Sequence, residues 1–204
     1  MSGPIRVAVL TVSDRCSRGE ATDTSGPGLC AMAKESLKAE IVATAIVPDE
    51  VAQIGAKFVE WSRPEHRIDL IVSTGGTGLA PRDVTPEAAK KVFEREHAGL
   101  MELARMRCYP KTARTYLSRG VAGTIGRTLI LTLPGSPRGS SENFEVLLDI
   151  LPHAIETIRG ELDRLTKVVN PALCAALGVG SDVASILLIA AGDNPRSEEH
   201  TSEL

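Results

Sequence analysis

The sequence predicts an α/β fold: three layers, built as a mostly parallel sheet with helices on both faces. Three observations carry this. Runs of β-branched and aliphatic residues at 5–12, 41–47, 70–72 and 128–133 are almost continuously apolar, as strands buried on both faces of a parallel sheet must be. Segments with helical spacing lie between them, the alternation that builds βαβ units with right-handed crossovers. Each apolar run ends in a polar or glycine motif: Ser13 and Asp14, Asp49, Thr74 to Gly78, and Pro134 to Ser136. That gathers the motifs at the carboxyl end of the sheet, where open α/β sheets bind their ligands.

Taken in order, residues 5–12 form a first strand closed by Ser13 and Asp14, which either cap a turn or touch a ligand. A polar stretch, DRCSRGEATDTSGPG, leads to a helix announced by Ser25, Gly26 and Pro27 and running through Leu29, Met32, Ala33 and Leu37. The second strand, 41–47, stops at Pro48. Asp49 opens a helix whose Val51, Ile54, Phe58 and Trp61 share one face. By itself such an aspartate reads as an N-cap carboxylate favoured by the helix dipole. The third strand runs into Gly75, Gly76 and Gly78, which allow dihedrals and a backbone approach that a Cβ would block, so bare N–H groups can face an anion. Thr85 as N-cap and Pro86 at the first helical position predict the next helix and leave Asp83 between loop and helix. A tight βα turn with a capping acid is the plainer reading of the same residues. The helix at 97–107 places Leu100, Met101, Leu103 and Ala104 toward the core. Residues 109–123 read as a basic loop whose Lys111, Arg114 and Arg119 are either solvated or meet a substrate phosphate. After the last strand, 128–133, a helix at 141–159 buries Phe144, Leu147, Leu148, Leu151, Ile155 and Ile158, kinked at Pro152.

With 204 residues, 43% of them hydrophobic, the chain can bury one good core and part of a second, so one main domain is expected. A net charge of −3 gives no overall field toward nucleic acid or an anionic membrane. Cys16, Cys30, Cys108 and Cys174 show no C-x-x-C spacing, which suits reduced thiols in a cytoplasmic protein and argues against zinc. No apolar run reaches the roughly 18 residues a membrane span needs, and the N-terminus lacks a signal-like pattern. A P-loop, a G-x-S-x-G elbow and an H-E-x-x-H pair are all missing, and His66, His97, His153 and His200 lie outside the motifs. Hydrolase and zinc peptidase readings are therefore poor. Two isolated aspartates and a glycine-rich loop do not by themselves name a reaction, although hard carboxylate oxygens suit a divalent cation and a glycine loop suits a phosphate.

The string TGGTGLAPRDVTPEA at 74–88 is more specific than its physics: it resembles the molybdopterin adenylyltransferases, the family that includes the N-terminal domain of gephyrin. VLTVSDRC at 9–16, IVPDE at 46–50, LSR at 117–119 and LPGSPRGS at 133–140 follow the same family's order, and the resemblance spans residues 5 to about 165. It implies the molybdopterin-binding fold, and transfer of AMP from ATP to the terminal phosphate of molybdopterin with release of pyrophosphate, in molybdenum cofactor biosynthesis. It further implies Mg2+ with ATP as co-substrate, a homotrimer, and handover of product to a molybdenum-insertion enzyme. Asp49 and Asp83 are then the catalytic, metal-holding acids. Ser13, Asp14, Gly75, Gly76, Thr77, Gly78, Pro134, Gly135 and Ser136 form the nucleotide and phosphate site, and Ser118 and Arg119 the pterin pocket. Two alternatives remain beside this reading: a molybdopterin-binding module of molybdenum insertion, and a trimeric scaffold with a vestigial site. No nucleic-acid partner is expected for the main domain.

Beyond residue 165 the resemblance ends. LCAALGVGSDVASILL at 173–188 reads as two short helical pieces around Gly178, Val179 and Gly180, similar to a helix-hairpin-helix. The stretch 166–195 resembles a fragment of an insertion-sequence transposase. RSEEHTSEL at 196–204 resembles a translated sequencing adapter, so the expected organisation is an adenylyltransferase domain at 1–165, a helical fragment at 166–195 and an artefactual tail at 196–204.

Overall fold

A computed structural model of the chain describes residues 3–169. Among these, six strands form one sheet: β1 (Arg6–Val12), β2 (Glu40–Val47), β3 (Leu70–Thr74), β4 (Arg95–Glu96), β5 (Ala122–Ile125) and β6 (Thr128–Leu133), in the order β2-β1-β3-β6-β5-β4. β1 pairs in parallel with β2 and β3, and β3 with β6, while β5 and β4 extend the β6 edge antiparallel. The helices are α1 (Asp14–Ser17), α2 (Ser25–Leu37), α3 (Val51–Trp61), α4 (Thr85–Lys90), α5 (Ala98–Cys108), α6 (Pro137–Glu145) and α7 (Leu151–Val169). The expected mostly parallel α/β sheet is thus present, with a mixed edge.

Period-2 geometry explains why β1, β3 and β6 are apolar throughout. The two-sided burial expected of 41–47 fails, because β2 is an edge strand, with Val47 its one buried residue and Ile46 exposed. Ala8, Leu10, Val12, Ile71 and Ile130 pack with Ile54, Phe58 and Trp61 of α3 and Ala88 and Ala89 of α4. The alternate residues Val7, Val9, Leu70, Val72, Leu129 and Leu131 are equally buried. They face the side on which α2 packs against β1, β3 and α6. A strand with an apolar residue at every position is what two helical layers demand. Truncating fully buried Phe58 or Phe144 to Ala costs about 3–5 kcal/mol.

Three local readings are corrected by the structure. The single helix expected at 141–159 is two, because Ser136 caps α6 at Pro137, its hydroxyl accepting from the Gly139 N–H at 3.2 Å, and Pro152 opens α7 rather than kinking it. Proline in a first turn removes an N–H that has no partner there anyway. The Thr85 hydroxyl caps nothing: it donates to the Gly75 carbonyl at 2.9 Å, and Val84 stands at the N-cap. Residues 109–123 are not only loop, since they include a 3-10 turn at Ala113–Leu117 and the start of β5. β5 escapes a propensity reading because Ala122 and Gly123 are poor strand formers. Gly123 is there for packing, as a Cβ would lie 2.4 Å from the Phe93 ring. Of the α5 residues expected in the core, Met101 and Ala104 are buried, together with Cys108, while Leu100 and Leu103 are half-buried.

The α/β unit runs to Glu156, and a second unit begins at Thr157, inside α7. The helical hairpin expected at 173–188 and the tail at 196–204 lie outside the described residues. Among the described residues no helix is long and apolar enough to cross a membrane.

Candidate active site at the carboxyl ends of the strands

In the strand order, β2 lies on one side of β1 and β3 on the other. The connections that leave β1 and β3 therefore diverge, and a crevice opens between them at the carboxyl ends of the strands. The residues expected at the site meet there. The Ser13 N–H donates to Val47 O at 2.9 Å, tying the end of β1 to the end of β2, and the Ser13 hydroxyl caps α1 by accepting from Cys16 N at 3.2 Å. One step on, two aspartates lock reciprocally: Asp49 Oδ2 accepts from the Asp14 N–H at 2.9 Å, and Asp14 Oδ1 accepts from the Asp49 N–H at 3.1 Å. Asp49 is thus not the side-chain cap of its own helix, α3, where Glu50 occupies the N-cap.

The glycine-rich loop is built against these residues. Gly75 has φ +106°, and a Cβ there would sit 2.0 Å from Val12 O. Its N–H donates to Leu133 O at 3.1 Å, so β1, β3 and β6 converge on one glycine. Gly76 has φ +63°, and its missing Cβ leaves room for Thr85 Oγ1 and Asp49 Oδ1, which a side chain would meet at 2.3 and 2.9 Å. The N–H groups of Gly76, Thr77 and Gly78 have no acceptor among the described residues. Gly78 backs onto Asp83, whose Oδ2 would lie 2.7 Å from a Cβ. Asp83 closes its own loop, its Oδ2 accepting from Ala80 N and its N–H donating to Ala80 O, each at 2.9 Å. From the β6 side, Pro134 O accepts from the Thr74 hydroxyl at 2.7 Å and Gly135 O from the Ser25 hydroxyl at 2.9 Å. A Cβ on Gly135 would come within 3.0 Å of Gly75 Cα. Gly135 and Ser136 form the exposed rim.

The second wing of the site joins through Thr77, whose hydroxyl lies 3.2 Å from that of Ser118. Ser118 and Arg119 line a cavity of about 790 Å³ with Leu103, Met106 and Tyr116. The Arg119 guanidinium donates to Gly78 O at 2.7 Å, to Asp83 O, and to the Glu87 carboxylate. Lys111 is paired with Glu145 at 3.1 Å.

Charge is unbalanced around the aspartates. Burial pushes the half-buried Asp49 carboxyl above the usual carboxylate range; the Asp14 N–H pulls it down, and the charges of Asp14 and Asp83 push it up again. Asp14 is held low, chiefly by Arg82, which donates to both of its oxygens at 2.9 Å and to Glu50 at 3.1 Å. Arg82, Glu50, Glu87 and Ser25 are parts of the site that reading the sequence missed. For Arg82 and Glu87 the only signal was a charge inside an already conspicuous string.

A divalent cation fits this chemistry. Among the described residues no group of three or more His, Cys, Asp or Glu could hold a metal by itself. Magnesium, however, usually takes one or two carboxylates and completes its shell with substrate phosphates and water. A half-buried Asp49 carboxyl with Asp14 and Asp83 as like-charged neighbours is a group whose ionised form a cation would stabilise.

Residues 8–153 match the family described as "Probable molybdopterin binding domain". Gephyrin of Dictyostelium discoideum is 41% identical over 165 residues, 76% of this chain but 23% of that protein, so the chain spans about a quarter of its length. The molybdopterin adenylyltransferase of Helicobacter pylori strain J99 is 37% identical over 157 residues, 76% of this chain and 89% of that one. Among solved structures, the molybdopterin biosynthesis enzyme MoaB of Thermus thermophilus superposes with a TM-score of 0.72 at 47% identity, covering 76% of this chain and 97% of that one.

Proposed function

The chain belongs to the family of molybdopterin-binding domains, and from that premise we propose that it is a molybdopterin adenylyltransferase. It transfers AMP from ATP to the terminal phosphate of molybdopterin in molybdenum cofactor biosynthesis. The observation that carries this reading is the juxtaposition of three consecutive N–H groups without an acceptor among the described residues, at Gly76, Thr77 and Gly78, with the Asp49 carboxylate leaning on Gly76. Consecutive N–H groups left free beside residues of positive φ suit an anion, and a carboxylate beside them would repel a phosphate unless a cation lay between them.

In this reading Gly76, Thr77 and Gly78 hold the triphosphate. Ser13, Asp14, Gly75, Pro134, Gly135 and Ser136 shape the nucleotide side of the crevice. Ser118, with Arg119 beside it, borders the pterin side, where the cavity of about 790 Å³ is large enough for a bicyclic or tricyclic ligand. Mg2+ held by Asp49 and Asp83 would neutralise the phosphates and polarise the phosphorus under attack. The chain's own work is to align a pterin phosphate oxygen with the α-phosphorus of ATP; the new P–O bond forms as the bond to pyrophosphate breaks. Little covalent work is asked of the protein in such transfers, which depend on position and charge. We further propose a cytoplasmic homotrimer that passes its product to a molybdenum-insertion enzyme, with the activity contained in residues 1–165.

Incubation with Mg2+, ATP and molybdopterin tests the proposal. The expected result is adenylated molybdopterin and pyrophosphate in equal amounts, from the full chain and from a chain ending at Leu165 alike. Tight pterin binding with no adenylated product would favour the molybdenum-insertion module or the scaffold with a vestigial site.

A further inference from the structure

We infer that Arg119 is a positioning residue for Asp83, holding both ends of the loop 78–83 from the outside instead of reading the charge of a substrate. This rests on the reading of Asp83 as a working carboxylate. Arg119 Nε donates to the carbonyl of Gly78 at 2.7 Å, and Nη2 donates to the carbonyl of Asp83. One planar group therefore fastens the first and last residues of the loop, and Nη1 is taken by the carboxylate of Glu87 in the first turn of α4. The Arg119 main chain is fixed to the residue just before that loop, its N–H donating to Thr77 O at 2.8 Å.

The loop needs such a fastening. Its internal bonds are the Asp83 and Ala80 pair, both at 2.9 Å, in which the Asp83 carboxylate is itself a partner. If the ends part, the carboxylate loses the geometry that sets it against Gly78. Glu87 neutralises the guanidinium where it stands and is held below the usual carboxylate range by it. A cation so engaged on three sides offers a phosphate little. Lysine cannot replace it, since a single ammonium lacks the rigid fork that reaches two carbonyls and a carboxylate together.

The test uses the full chain and compares Arg119→Ala, Arg119→Lys and Glu87→Gln with the wild type in two measurements. In adenylation kinetics, both Arg119 variants should lose kcat by about a hundredfold, with KM for molybdopterin within roughly twofold of wild type and the Mg2+ concentration for half-activation raised. Glu87→Gln should shift the same quantities in the same direction by less. In amide hydrogen exchange, the N–H groups of Ala80 and Asp83 should exchange at least about tenfold faster in both Arg119 variants, while those of β3 stay protected. Rescue of kcat by lysine, a rise in KM at unchanged kcat, or unaltered exchange over 78–83 would each overturn the inference. Should Arg119→Ala fail to fold, Arg119→Lys and Glu87→Gln still decide it. Should the wild type make no adenylated product, the adenylyltransferase proposal fails, yet the exchange measurement still tells whether Arg119 fastens the loop.

Discussion

Two glycine turns at strand ends look alike in the sequence and differ in the structure. In the β5–β6 hairpin, Gly126 has φ +53°, and a Cβ there would meet nothing within 4 Å. After β3, Gly75 and Gly76 also have positive φ, but the space a Cβ would need is filled by Val12 O in one case and by Thr85 Oγ1 and Asp49 Oδ1 in the other. The hairpin glycine answers only a conformational demand. The loop glycines answer two: a left-handed backbone, and the approach of other groups to the main chain. A strand end that leaves three N–H groups without acceptors among the described residues while drawing a carboxylate against them is what the proposed ligand site requires, whereas open space around Gly126 requires only a turn.

Substitution should separate the two turns sharply. The largest effect is expected for Gly75→Ala, where the added carbon meets a backbone carbonyl that cannot swing aside and the left-handed φ is strained as well; a loss on the order of 3 kcal/mol or more in urea unfolding should result. Next comes Gly76→Val. Its contacts are side-chain atoms, so the loss of stability from the left-handed backbone and the buried Thr85 should be smaller than at Gly75, while the valine displaces Asp49 and ATP affinity measured by calorimetry falls on the order of a hundredfold. Normal ATP binding by this variant would reduce the loop to a structural turn like the hairpin.

A smaller effect concerns pH. A carboxyl whose folded pKa is raised binds its proton more readily in the folded chain than in the unfolded one. Asp49 therefore contributes stability below the ordinary carboxylate range, and that contribution is lost as pH rises through its folded value. Thermal melts from acid to neutral pH should show Asp49→Asn gaining on the wild type as pH rises. Turnover needs the ionised form, so the acid limb should lie above the usual carboxylate range in the kcat/KM profile, which reports the free enzyme, and move down in kcat at saturating Mg2+. The smallest effect is Gly126→Ala, about 1 kcal/mol from the left-handed backbone alone, with kcat unchanged.

What could be read in the sequence divides along the same line. β1, β3 and β6 were legible because two-sided burial leaves continuous apolar runs, β2 because its residues are apolar although it is a half-exposed edge strand, and the motifs at 13–14, 49, 75–78 and 134–136 were legible because each follows such a run. β5 was not, since Ala122 and Gly123 owe their strand to β6 and to the Phe93 ring. The exchange between Asp14 and Asp49 spans 35 residues and the reach of Arg119 to Gly78 spans 41. Neither spacing has a period to betray it. Asp49 looked like a helix cap because the residue type and place were right, and only the fold turned its carboxylate toward the N–H of Asp14.

If the carboxylate against the glycine loop makes this strand end a catalytic one, its charge must govern turnover. Asp49→Asn keeps the side chain's size and its capacity to accept from the Asp14 N–H while removing the charge. With Mg2+ saturating and molybdopterin binding measured in parallel, the variant should adenylate molybdopterin on the order of a hundredfold more slowly or worse, with pterin affinity unchanged. Near-normal turnover by Asp49→Asn under those conditions would contradict the account.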